Sequence, residues 1–210
     1  MIEFHLDAFA LGECREQVHK TPVTTVAVLD DFWNDFEAVQ EQIEKLPFCK
    51  TAYHTEDMED YRFGFVKTIA GHDMPFRNEL VNKISTLFSD DDILKKSMKI
   101  DLAFNINSVG SDRIKSDFYN PHLDAGFYTV VVFMNNEYDD SDGFNIYRPS
   151  RLRGLWRSRD QVRVDTFVRG KPNRAVVFPA PGVLHGLEIR SDNFREEYRC
   201  TSALFLNHNV

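Results

Sequence analysis

The chain lacks any apolar run approaching the ~20 residues that a membrane-spanning helix needs, so no transmembrane segment is expected. Its opening, MIEFHLDAFALGECREQ, lacks a basic stretch followed by an apolar core and does not read as a secretory signal. Cysteine is scarce: Cys14, Cys49 and Cys200 are odd in number and far apart. They make neither a metal-type spacing nor a disulfide framework, and reduced thiols in a cytoplasmic protein are expected. Positive charge is also lacking overall. The formal net charge of −8 argues against broad nucleic-acid binding. No internal repeat and no low-complexity tract is visible.

What is present is an ordinary globular composition, 42% hydrophobic and 28% charged, which predicts a folded core rather than a disordered chain. A chain of 210 residues suits one compact domain and buries roughly 70% of its unfolded surface. The texture divides it at about residue 97. Before that point, TPVTTVAVLDDFW alternates and is β-branched, which predicts a strand over about 22–29. Asn34 is positioned as an N-cap for DFEAVQEQIEKL, where Phe36, Val39, Ile43 and Leu46 recur at helical spacing until Pro47. A second helix is predicted over 75–88, with Leu80, Ile84 and Leu87 on one face. The polar stretch 49–65 fits neither pattern.

From about residue 98 the chain reads as short strands, among them KIDLAFNIN, GFYTVVVFMN, RAVVFPA and RCTSALFLN. Turn residues such as YDDSDG, RGKPN and APG separate them. Many short strands at this spacing indicate an antiparallel sandwich or barrel. The expected arrangement is a single domain: a strand and supporting helices over 1–97, then a β core over 98–210.

The chemistry-bearing residues lie in NPHLDAGFYTVVVFM. Residues i and i+2 of an extended segment share a face, so His122 and Asp124 would project together at the mouth of an apolar strand. Two ligands do not hold a reactive metal ion. His185, just past a strand and a Pro-Gly turn in RAVVFPAPGVLHG, is the best third. Two histidines and a carboxylate on one face of an octahedron suit non-haem Fe(II), with zinc and a bound water as the rival occupant. Alone, His122 and Asp124 are as readily a surface pair at a strand end. His5, His19, His54, His72 and His208 have no such context.

In order, PHLD, SDGFNIYRP, NRAVVFPAPGVLHG and RCTSALFLN resemble the Fe(II)- and 2-oxoglutarate-dependent dioxygenases, within them the prolyl-hydroxylase-like branch and its microbial and phage relatives. The likeness covers about residues 98–207 and extends weakly to VAVLDDFWNDFEAVQEQI. It implies an α+β, mainly β fold: a double-stranded β-helix, or cupin-like jelly roll, with N-terminal helices packed on one sheet. It implies Fe(II) held by His122, Asp124 and His185, with 2-oxoglutarate as co-substrate, O2 as oxidant, and release of succinate and CO2. The retained carboxylate Asp124 favours hydroxylation over halogenation. A guanidinium is suited to grip the far carboxylate of 2-oxoglutarate. The family's basic residue usually lies about ten positions beyond the distal histidine, where this chain has Arg195. Arg199 opens the strand RCTSALFLN, as the family's residue does, and is the first choice, with Arg195 second. Tyr128 and Thr201 are candidate hydroxyl donors to 2-oxoglutarate by strand parity. The chain departs from the family in having Gly143-Phe144 where Gly-Gly is usual.

Two further readings stay open. A jelly roll that binds a divalent metal or a small organic acid without turnover is the alternative function. The segment between Arg148 and Arg174 carries nine basic side chains against two acidic ones. It is either a solvated hairpin balancing an acidic body, or a flap with Trp156 facing an anionic primary substrate.

Overall fold

The computed structural model describes residues 6–45, 49–50, 60–66, 75–95, 98–108, 121–149, 162–188 and 199–208. Eleven strands and three α-helices occur among them. The strands are β1 (Arg15–Lys20), β2 (Thr25–Asp30), β3 (Cys49–Lys50), β4 (Asp60–Val66), β5 (Met98–Ser108) and β6 (Tyr128–Phe133). They continue with β7 (Gly143–Pro149), β8 (Val162–Arg169), β9 (Ala175–Pro179), β10 (Leu184–Glu188) and β11 (Arg199–His208). The helices are α1 (Phe36–Glu44), α2 (Arg77–Phe88) and α3 (Asp92–Lys95). None is long and apolar enough to cross a membrane.

An eight-stranded sheet runs β1-β2-β9-β6-β11-β5-β4-β3, and a three-stranded sheet runs β10-β7-β8. Every pairing is antiparallel. The period-two alternation of the large sheet decides what each face packs against. Val26 and Val28 of β2, Val131 and Phe133 of β6, and Val176 and Phe178 of β9 face the small sheet. There they meet Phe144, Ile146 and Val168. The intervening residues, including Ala27, Leu29, Val130, Val132, Val177 and Leu204, face α1 and α2, where Val39, Ile43, Leu80 and Ile84 cover them. Burying each such aliphatic side chain contributes about 1.5–3 kcal/mol, so the two layers are held chiefly by this repeated packing.

The helices form where the spacing predicts them. The cap of α1 is Asp35 rather than Asn34: its carboxylate accepts from the Ala38 amide at 3.0 Å. α2 ends at Ser89, which takes the left-handed conformation (φ 52°). Below the helices, Trp33 is held edge-on by Phe9, Phe32 and Phe76 at 4.7–5.5 Å. Asn173 ties this knot to the turn before β9. Its Oδ1 accepts from the Trp33 amide at 2.8 Å, and its Nδ2 donates to the Trp33 carbonyl at 2.9 Å.

The described part of the basic segment is largely neutralised on the protein itself. Arg174 and Lys171 both pair with Asp30, Arg169 with Asp140, and Arg148 with Asp165 at 2.5 Å. These contacts fit the balancing-hairpin reading. Residues 150–161, with Trp156 and four of the arginines, lie outside the described residues.

Candidate metal centre

His122 and His185 are cross-strand partners in an isolated antiparallel bridge. The His122 amide donates to the His185 carbonyl at 2.9 Å, and the His185 amide returns the bond at 3.0 Å. His185 reaches this position because the chain leaves β9, in the large sheet, and enters β10, in the small one, through Ala180-Pro181-Gly182-Val183. Gly182 has φ +76°, which a side chain would resist, and the preceding proline completes the pattern of a type II turn.

Asp124, two residues past the bridge, swings its carboxylate between the imidazoles. Its Oδ1 lies 3.5 Å from His122 Nε2 and its Oδ2 lies 3.2 Å from His185 Nε2. One donor atom from each of the three residues falls within 4.8 Å of the others. Donors set at right angles about an ion at 2.0–2.2 Å stand about 3 Å apart, and the 3.2 and 3.5 Å separations of the carboxylate from the two imidazoles are close to that. No other such cluster of His, Cys, Asp or Glu occurs among the described residues.

The hydrogen bonds aim the three side chains at one point. His185 Nδ1 lies 3.0 Å from the Val183 carbonyl, which only accepts, so Nδ1 carries a proton and Nε2 is the nitrogen turned toward Asp124. Burial works to raise the Asp124 pKa. The hydrogen bond and charge of His185, the charge of His122 and a hydrogen bond from Thr129 outweigh it and hold the carboxyl below its usual range. The cluster offers one carboxylate and two imidazoles as donors.

The two histidines differ in surroundings. His185 is 1% exposed and lies between Phe178, at 4.6 Å, and Phe144, nearly parallel at 5.4 Å. The His122 side chain is 46% exposed. The centre has a dry aromatic wall and one open side.

Arg199 and Thr201 share the inner face of the large sheet. In β11, Thr201 pairs with Phe133, whose side chain lies in the layer between the sheets, and Arg199 is two residues earlier. Arg199 is fully buried. Its Nη2 donates to the Gly143 carbonyl at 3.2 Å, and its guanidinium lies 5.7 Å from the Phe133 ring centre. Its Nε and Nη1 have no hydrogen-bond partner among the described residues. Burial lowers its pKa, and the nearby Tyr138 and Asp142 oppose that shift. Guanidinium nevertheless stays protonated in proteins. A buried cation with two idle donors is costly, and such a site is completed by an anion.

The expectation for Tyr128 is corrected. Tyr128 opens β6 one residue before Thr129 and so points to the opposite face, toward the helices. Its hydroxyl donates to Asp90 at 2.9 Å and its ring packs on Phe88. Arg195 lies outside the described residues. Sequence reasoning passed over Thr129, whose hydroxyl donates to Asp124 Oδ2 at 2.9 Å, and the aromatic pair around His185. Parity alone links Tyr128 and Thr129 to opposite faces; the apolar run YTVVVF carries no sign of which face is which.

No family model matches the chain, and no curated protein matches it in sequence. Solved structures do match in fold. An oxidoreductase of the 2OG-Fe(II) oxygenase family from Burkholderia pseudomallei aligns with TM-score 0.52 and 15% identity over 88% of this chain and 85% of that one. A prolyl-4-hydroxylase from Pseudomonas putida aligns with TM-score 0.50 and 14% identity over 93% and 92%. HygX from Streptomyces hygroscopicus, solved with nickel, 2-oxoglutarate and hygromycin B bound, aligns with TM-score 0.50 and 13% identity over 90% and 84%. The chain is thus similar in fold, along most of its length, to structures of this oxygenase type.

Proposed function

We propose that the protein is a non-haem Fe(II)- and 2-oxoglutarate-dependent oxygenase built on a double-stranded β-helix, and that it hydroxylates its substrate. The observation that carries this reading is a pairing: a two-histidine, one-carboxylate cluster, and a fully buried arginine with idle donors facing the same inter-sheet layer. A zinc hydrolase needs the first and has no use for the second.

In this reading His122, Asp124 and His185 hold Fe(II). Arg199, with the Thr201 hydroxyl beside it, holds the distal carboxylate of 2-oxoglutarate. With Fe(II), 2-oxoglutarate and O2 bound, the centre would supply oxidative chemistry: a C–H bond becomes C–OH while 2-oxoglutarate becomes succinate and CO2. The protein's own residues set the conditions. Val183 fixes the His185 tautomer. Phe144 and Phe178 exclude water from the buried side. The exposed flank of His122 leaves the approach for substrate.

Anaerobic addition of Fe(II) and 2-oxoglutarate should give a weak visible charge-transfer band, and admission of air should give slow succinate release. His122→Ala should remove both. A protein that shows the band but never yields succinate is a binding protein, and the oxygenase reading then fails.

A further inference from the structure

Thr129 is the one polar residue on the inward face of β6, where Val131 and Phe133 follow it at the same parity. It is fully buried, between β9, where it pairs with Phe178, and β11, where it pairs with Phe205. A hydroxyl in such a place costs free energy unless it is bonded. Its bond goes to Asp124 Oδ2 at 2.9 Å. Asp124 itself lies outside any strand, in the stretch between the His122 bridge and β6. A short side chain on an irregular stretch can rotate its carboxylate about two torsions. Nothing in a ladder determines where it aims.

We infer that Thr129 is a positioning residue for the metal centre: its hydroxyl pins one carboxylate oxygen of Asp124 and so holds the acid group in the orientation that faces both imidazoles. This rests on the metal-site reading above and adds to it a residue that touches no ion. The rigid strand supplies the precision that the irregular stretch lacks. Partners of this kind, bonded to a ligand rather than to the metal, change metal affinity when removed, by about 10–100-fold. The hydroxyl also occupies a lone pair of Oδ2. The bond to Thr129 and the approach of His185 therefore fall on one oxygen, and Oδ1 is the oxygen turned toward His122.

The test is Mn(II) titration of the full-length apo-protein, followed by electron paramagnetic resonance of the free ion, which needs no turnover. Thr129→Ser and Thr129→Ala remove the same methyl group and differ only in the hydroxyl. Thr129→Val keeps the shape and removes the hydroxyl. The Ala and Val variants should bind Mn(II) about 10–100-fold more weakly than wild type, and Ser should stay close to it. Equal affinity for Ser and Ala, or wild-type affinity for Val, overturns the role of Thr129 while leaving the metal site intact. If wild type itself takes up no Mn(II), or binds it no better than His122→Ala, the metal-site reading and this inference fall together. Should Val fail to fold, the Ser–Ala pair still decides.

Discussion

The two faces of β6 are both buried and are used in opposite ways. Tyr128, Val130 and Val132 pack under α1 and α2, and the one polar group there, the Tyr128 hydroxyl, bonds a helix-side carboxylate. Thr129, Val131 and Phe133 face the small sheet, and their layer also contains the His185 ring, the Asp124 carboxylate and the Arg199 guanidinium. Among the described residues the helix side leaves two neutral groups without hydrogen-bond partners, Trp33 Nε1 and Ser202 Oγ. The inner face leaves two nitrogens of a buried cation, Arg199, without them. Packing is similar on both sides; the difference is the unsatisfied charge, and that marks the face built for a ligand.

If this contrast is right, changes on the inner face should damage binding and changes on the helix face should only reduce stability. The largest effect is expected from His185→Ala, which removes a ligand and part of the aromatic wall. Metal affinity should fall by more than the ~100-fold that losing a supporting partner causes, and succinate release should stop. Next comes Arg199. Arg199→Met should raise the dissociation constant of 2-oxoglutarate by roughly tenfold to a hundredfold or more, as judged by the visible band. The same change should leave the ligand-free protein as stable or more stable in thermal melting, because it removes a buried cation with two idle donors. A lower melting temperature together with unchanged 2-oxoglutarate binding would break the comparison. Arg195→Ala, measured alongside, should leave the affinity as it is.

A smaller effect belongs to the rim. Hydrogen bonding to Arg174 holds the Asp30 carboxyl at about 2 against burial, with Lys171 adding to the lowering. A folded pKa below the unfolded one means stability that is complete above about pH 4 and is lost as pH falls toward 2. The lowering corresponds to something on the order of 2 kcal/mol. Denaturant midpoints should therefore drop between pH 4 and pH 2 in wild type, and less in Asp30→Asn. The smallest effect is Tyr128→Phe, which should cost about 1 kcal/mol through the lost bond to Asp90 while leaving metal and 2-oxoglutarate binding unchanged. A Tyr128→Phe protein that lost affinity for 2-oxoglutarate would show that the two faces are not separate.

Much of this arrangement is legible in the sequence, and the limits have physical causes. The distal histidine could be chosen because a β-branched run and a Pro-Gly turn deliver it. Arg199 could be chosen because it opens a strand, where the family this chain resembles carries its basic residue. The phase of β6 could not be read, because six residues buried on both sides show no alternation, and Tyr128 was placed on the wrong face as a result. β1, REQVHK, gave no strand signal because all six residues are exposed at a sheet edge. β4 lay hidden in a polar stretch for want of a regular pattern. Thr129 was missed because a threonine in an apolar strand ordinarily signals β-propensity, and its value here depends on a neighbour five residues back that only the folded chain brings alongside.

The bridge that joins residues 122 and 185 is a single rung of two backbone hydrogen bonds. So small a splice is easily parted, and the amide of His122 should exchange with solvent sooner than those within β6. A cation gripped by side chains from both ends of that rung would act as a clasp across 62 intervening positions of sequence. Occupied at a hundred times its dissociation constant, such a clasp adds about 2.7 kcal/mol to the folded state, with the greatest protection expected at the rung itself.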